Sequence, residues 1–179
     1  QTVTTDADGN YTAIGVSPGD ATVDIDDADL TPGVTQTEGT DPTTVTVNPS
    51  VVNVEENNGF HLPTVSSITD SNVTEGTDEN HTVTMTGVAT IDMTYPFALT
   101  DNTTNGAADY TLPPTFTNGV TLAGGVLTVP AGVTEFDMIV PTVNDAVQEP
   151  EEFYDVTIGG ASATGTITDN DTVTVASIT

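Results

Sequence analysis

The stretch Val143-Asn144-Asp145-Ala146-Val147-Gln148-Glu149-Pro150-Glu151-Glu152-Phe153-Tyr154-Asp155 decides the reading of this chain, together with the later Asp169-Asn170-Asp171. Carboxylates crowd at Asp145, Glu149, Glu151 and Glu152, and Asp169 and Asp171 flank Asn170. Strand-like runs precede both clusters: Phe136, Met138 and Val140 before the first, Thr164–Thr168 before the second. Alternation of this kind marks a half-buried strand, so the acids fall where strands end. The chain holds 27 Asp and Glu and no Lys or Arg to neutralise them. Such acids either spread into solvent or share a hard cation through oxygen ligands. Isolated loop acids are simply solvated; crowding at this density favours the cation.

Composition narrows the classes further. A formal charge of −27 over 179 residues leaves nucleic acid and anionic membranes without the Lys and Arg they require. Hydrophobic content is only 35%, but the apolar residues alternate with Thr, which argues for strands rather than disorder. There is no Cys, so the usual covalent staple of secreted domains is missing. No apolar run is long enough to span a bilayer, and no signal peptide is visible.

Outward from the acidic turn, the expected strands are Val65–Val73, His81–Val88, Met93–Thr100, Tyr110–Phe116, Gly125–Val129, Glu135–Val143, Phe153–Ile158 and Ala163–Thr168. Turn residues separate nearly all of them, and no amphipathic helix intervenes, which predicts an antiparallel β-sandwich over residues 64–171. His61-Leu62-Pro63 reads as a linker. Residues 1–60 form a first unit, with a turn at Asp6-Ala7-Asp8-Gly9-Asn10 and strands at Ala21–Ile25 and Thr43–Val47. Asp6, Asp8 and Asn10 have the spacing that opens an EF-hand loop, but Gly9 falls too early and no helices flank it. A metal-free, hydrogen-bonded turn weighs equally there. His61 and His81 are the only histidines and are expected in surface or linker roles, because a zinc site needs several N or S ligands.

The second unit resembles Calx-beta domains. The resemblance is carried by Val73-Thr74-Glu75-Gly76, Ala107-Ala108-Asp109-Tyr110, Gly125–Gly132, the acidic turn and Ile167-Thr168-Asp169-Asn170-Asp171, all in the family's order. Asn144, Pro150 and Glu151 depart from its usual residues. The resemblance implies Ca²⁺ at Glu75, Asp109, Asp145, Glu149, Glu151, Glu152, Asp169 and Asp171. The first unit is similar to SdrD B-like, or Cna-B-type, domains through Asp6–Tyr11, Val16–Asp20 and Leu30–Thr37. That likeness implies a prealbumin-like sandwich that closes on a strand at Glu55–Phe60 and lacks its leading strands. The Lys–Asn isopeptide bond of many such relatives is impossible without Lys.

The tail Thr172–Thr179 alternates like a strand. One reading makes it the start of another sandwich, since Val175–Thr179 echoes Val65–Thr69; the preferred reading has it complete the first unit of the next copy. The expectation is therefore an all-β chain of two immunoglobulin-like sandwiches, without enzymatic activity. It would serve as a calcium-stiffened repeat of an extracellular stalk or cell-surface filament, joined head to tail. The alternative is an adhesin module that binds a glycan or protein.

Overall fold

A computed structural model describes residues 1–172. It is all-β, with no α-helix among those residues and none long and apolar enough to cross a membrane. The chain divides into two compact units, one of Gln1–Thr31 with Gln36–His61 and one of Pro32–Thr35 with the residues from Leu62 onward.

In the first unit, β1 (Gly19–Val23) pairs antiparallel with β3 (Thr43–Val47), and β2 (Thr35–Glu38) lies beside β4 (Gly59–His61). Alternation sets Ala21, Val23, Val45 and Val47 on one half-buried face of the β1–β3 pair. No side chain of this unit is buried. Val52 and Val54 are 91% and 85% exposed.

The second unit is a sandwich. One sheet runs in the order β10 (Thr121–Ala123), β11 (Val126–Val129), β8 (Met93–Asp101), β13 (Glu152–Ile158), β14 (Ala161–Thr168), β6 (Ser71–Thr74). The other runs β5 (Val65–Ile68), β7 (Asp78–Met85), β12 (Glu135–Pro141), β9 (Thr115–Phe116). All recorded pairings of this unit are antiparallel except β6 with β14, where Thr74 lies opposite Thr168. The inner faces enclose Leu127, Phe136, Met138, Val140, Tyr154, Val156 and Ile158, each at most 1% exposed. Removing such side chains from water contributes roughly 1.5–3 kcal/mol apiece.

Local chemistry explains where the observed strands depart from expectation. The run Val65–Val73 breaks into β5 and β6, which join different sheets, because the chain passes from one sheet to the other at Thr69 and Asp70. There the Thr69 N–H donates to the Thr82 carbonyl, and Asp70 accepts from the Thr164 N–H. Tyr110–Phe116 shrinks to Thr115–Phe116, since Pro113 and Pro114 have no N–H to give a ladder.

His81 corrects a second expectation, for it is fully buried. On β7 the inward parity takes Glu79, His81, Val83 and Met85 together, so His81 points into the core. Its Nδ1 lies 2.7 Å from the Thr69 carbonyl and its Nε2 2.9 Å from the Tyr154 hydroxyl. Burial pushes the imidazole pKa down, which keeps the ring neutral. Tyr154 reaches across the neighbouring strand at Gly165, where an added Cβ would sit 2.2 Å from the ring. Only glycine fits beneath that ring.

Candidate metal centre

Strand parity delivers the acids. On β6, Ser71 and Val73 point inward and Glu75, the next residue in phase, is buried just past the strand. On β14, Ala163, Gly165 and Ile167 point inward, and Asp169 and Asp171 continue that phase. On β13, Tyr154, Val156 and Ile158 are buried, so Glu152 is the acid in phase with the core. The parallel pairing of β6 and β14 then sets Glu75 beside Asp169, with the Glu75 N–H donating to the Thr168 carbonyl at 3.0 Å.

Asp109 arrives from a different loop. A single turn of 3-10 helix, Gly106–Ala108, precedes it, and the Val143 N–H donates to the Asp109 carbonyl at 2.8 Å. That bond ties the loop after β8 to the loop after β12. The Phe153 carbonyl accepts from the N–H groups of Asn102, Thr103 and Thr104, which anchors the same loop to the start of β13. Gly76, at φ +77°, lets its turn press against Asn144; a Cβ there would come within 2.8 Å of the Asn144 Cβ.

The result is two carboxylate groups at one end of the sandwich. Oxygens of Glu75, Asp169 and Asp171 lie within 4.8 Å of one another, and so do those of Asp109, Glu149 and Glu152. Ligand oxygens about 2.3–2.6 Å from a calcium ion are separated by at most about twice that distance, so each group fits within one coordination shell. A shared cavity is lined by Glu75, Asp109, Asp145, Glu149, Glu152 and Asp169. The Oδ2 of Asp171 is buried with no hydrogen-bond partner among the described residues. A buried carboxylate oxygen left unsatisfied is costly, and a cation would satisfy it.

The electrostatics agree with a site built for positive charge. Glu152 is pushed up to about 7, first by burial and then by Asp109, Glu149 and Asp145 around it. Glu149 is raised by desolvation and by Asp145, Asp109, Glu75 and Asp169. Asp169 moves the other way, because the N–H groups of Asp171 and Glu149 donate to it at 2.7 and 2.9 Å. Near neutral pH a proton on Glu152 partly relieves the crowding that a cation would relieve.

The remaining expected ligands are placed differently. Asp145 is exposed; it borders the cavity and receives the Val147 N–H on its Oδ1 at 2.7 Å. Glu151 is exposed, out of phase with β13, and joins neither carboxylate group. In the first unit, Asp6 Oδ1 accepts from the N–H groups of Asp8 and Asn10 at 2.9 and 2.8 Å, a turn closed by its own backbone. Asp6, Asp8 and Asn10 are all exposed and fall outside both groups. The sequence named Asn144 and Asn170 without pairing them; their side chains meet at 2.9 Å and brace the loop after β12 against the chain after β14.

No family model and no curated protein matches the chain. Among solved structures it is similar to CBD12 from CALX1.2, at 18% identity and a TM-score of 0.47, over 61% of this chain and 45% of that one. It is also similar to the apo-form Calx CBD1 domain, at 19% identity and a TM-score of 0.45, over 59% of this chain and all of that one. The titin M3 domain matches at 12% identity and a TM-score of 0.28, over 60% and 95% of the two chains. The chain thus spans under half the length of the first of these structures. At such identities the metal assignment rests on the carboxylates themselves.

Proposed function

We propose that the second unit is a calcium-stiffened structural module of an extracellular, cell-surface stalk or filament, in which copies follow one another head to tail. The observation that carries the calcium reading is the pair of carboxylate groups beside one cavity, with a buried Asp171 oxygen that has no hydrogen-bond partner among the described residues. Calcium suits the site better than magnesium. It accepts many oxygens in flexible geometry, whereas Mg²⁺ demands a small octahedron and retains its waters. Sites in extracellular modules bind at roughly 10⁻⁴–10⁻³ M, so the ion would be held outside a cell and lost inside it.

The stiffening follows from which loops are joined. Glu75 follows β6, Asp109 follows β8, Glu149 follows β12, Glu152 opens β13, and Asp169 and Asp171 follow β14. Ions among them would couple segments that otherwise meet only through a few hydrogen bonds. The test is thermal unfolding and amide exchange in millimolar calcium against chelator. Calcium should raise the melting temperature and slow exchange in residues 143–152; superimposable curves would defeat the proposal. Sedimentation over a range of concentrations tests the head-to-tail assembly separately.

A further inference from the structure

In the first unit β3 has a ladder partner on one side only among the described residues. β3 pairs with β1 on one side, and its other side faces residues 52–56 across an open trough of about 520 Å³ lined by Thr43–Thr46 and Val52–Glu56. No ladder among the described residues closes that gap. The side chain of Asn53 accepts from the Asn48 N–H and amide, both at 3.1 Å, and Ser50 takes a φ of 62°. After this turn residues 52–56 line the trough opposite β3, and no ladder among the described residues pairs them with it. Val52 and Val54 therefore stand in solvent beside the half-buried Val45. An open strand edge next to exposed valines invites another strand.

We infer that this trough accepts Thr172–Thr179 of a second copy of the chain as an added β-strand. Charge selects the occupant. The trough is rimmed by Glu55 and Glu56 in a chain of net charge −27, so a strand bearing acids is repelled. Thr172-Val173-Thr174-Val175-Ala176-Ser177-Ile178-Thr179 has none, and its Val173 and Val175 alternate with threonines. Other acid-free alternating runs, such as Thr43–Val47, Val126–Val129 and Ala161–Thr168, are already strands of their own ladders. The incoming strand would pair with the free edge of β3 and cover Val45, Val52 and Val54. This inference rests on the head-to-tail reading and names the joint.

The experiment uses the full chain. Amide exchange at Thr43–Val47 is followed over a concentration series, beside a Val175→Asp variant and that variant supplied with the synthetic peptide Thr172–Thr179. Protection at Thr43–Val47 should rise with concentration by tenfold or more, vanish in the variant and return with the peptide. Concentration-independent protection would mean that each chain fills its own trough, and overturns the inference. So does a peptide that leaves Thr43–Val47 unchanged or protects only strands of the second unit. Sedimentation keeps the two readings apart: self-association that survives Val175→Asp removes this joint but leaves head-to-tail assembly standing.

Discussion

The two units are written in the same alphabet of alternating Thr and Val, yet only the second makes a core. Its strands carry apolar residues on both facing sheets, so each inward side chain meets another and Phe136, Met138 and Val140 are at most 1% exposed. In the first unit the β1–β3 pair turns Ala21, Val23, Val45 and Val47 to one face, and they remain only half-buried. Alternation specifies which face of a strand is apolar. Burial needs a second apolar surface, and the comparison shows what one unit has and the other lacks.

The sharpest way to break this contrast is to truncate one side chain in each unit. Phe136→Ala should destabilise the second unit by about 3–5 kcal/mol, as expected for a large aromatic deleted from a packed core. Val45→Ala should cost under about 1 kcal/mol, because its methyl groups are already partly in water. Denaturant unfolding read by exchange in each unit would check both. Equal losses would mean that the first unit has a packed core in solution.

Calcium sharpens the comparison next, since among the described residues both carboxylate groups belong to the second unit. An ion at a hundred times its dissociation constant adds about 2.7 kcal/mol per site. That increment should appear in the melting of the second unit and leave exchange in Thr43–Val47 of an isolated chain unchanged. Glu152→Gln and Asp169→Asn should each remove much of it. Glu151→Gln, pointing the other way, should change the calcium response by less than about 0.5 kcal/mol, the usual range for a surface substitution.

The last effect is a slope with pH. In chelator, Glu152 titrates near 7 when folded, above its ordinary value of 4.5. A raised folded pKa stabilises fully below pH 4.5, and that contribution is lost as pH rises through about 7. Glu149 acts in the same direction. Metal-free second units should therefore weaken between pH 5 and 8, and saturating calcium should cancel the trend. A flat metal-free profile would show that the carboxylates do not crowd one another in solution.

Much of this was legible in the sequence because strands repeat every two residues and turns are marked by Gly, Pro and Asn. Thr43–Val47 emerged with its bounds intact, and the acidic turn fell where β12 ends and β13 begins. Phase was the neglected signal. Counting back by twos from Ile158, Val156 and Tyr154 reaches Glu152 and passes over Glu151. The same count from Met85 and Val83 reaches His81 and Glu79, both fully buried. The two-residue strand β9 and the split of Val65–Val73 were not legible, since they depend on partners distant in the chain.

One feature of the second unit bears on how it would behave under tension. β6 lies near the beginning of that unit, β14 lies at the end of its described portion, and the two run parallel. Once a pull on the two ends reaches these strands, it drags them in opposite directions along one axis. The ladder is then loaded in shear, and its bonds must fail together rather than one after another. Glu75 and Asp169 stand just past the ends of these two strands, so an ion held between them would act as a pin against sliding. A stalk built of such modules would carry load through that pin, and its breaking force would follow the calcium concentration around it.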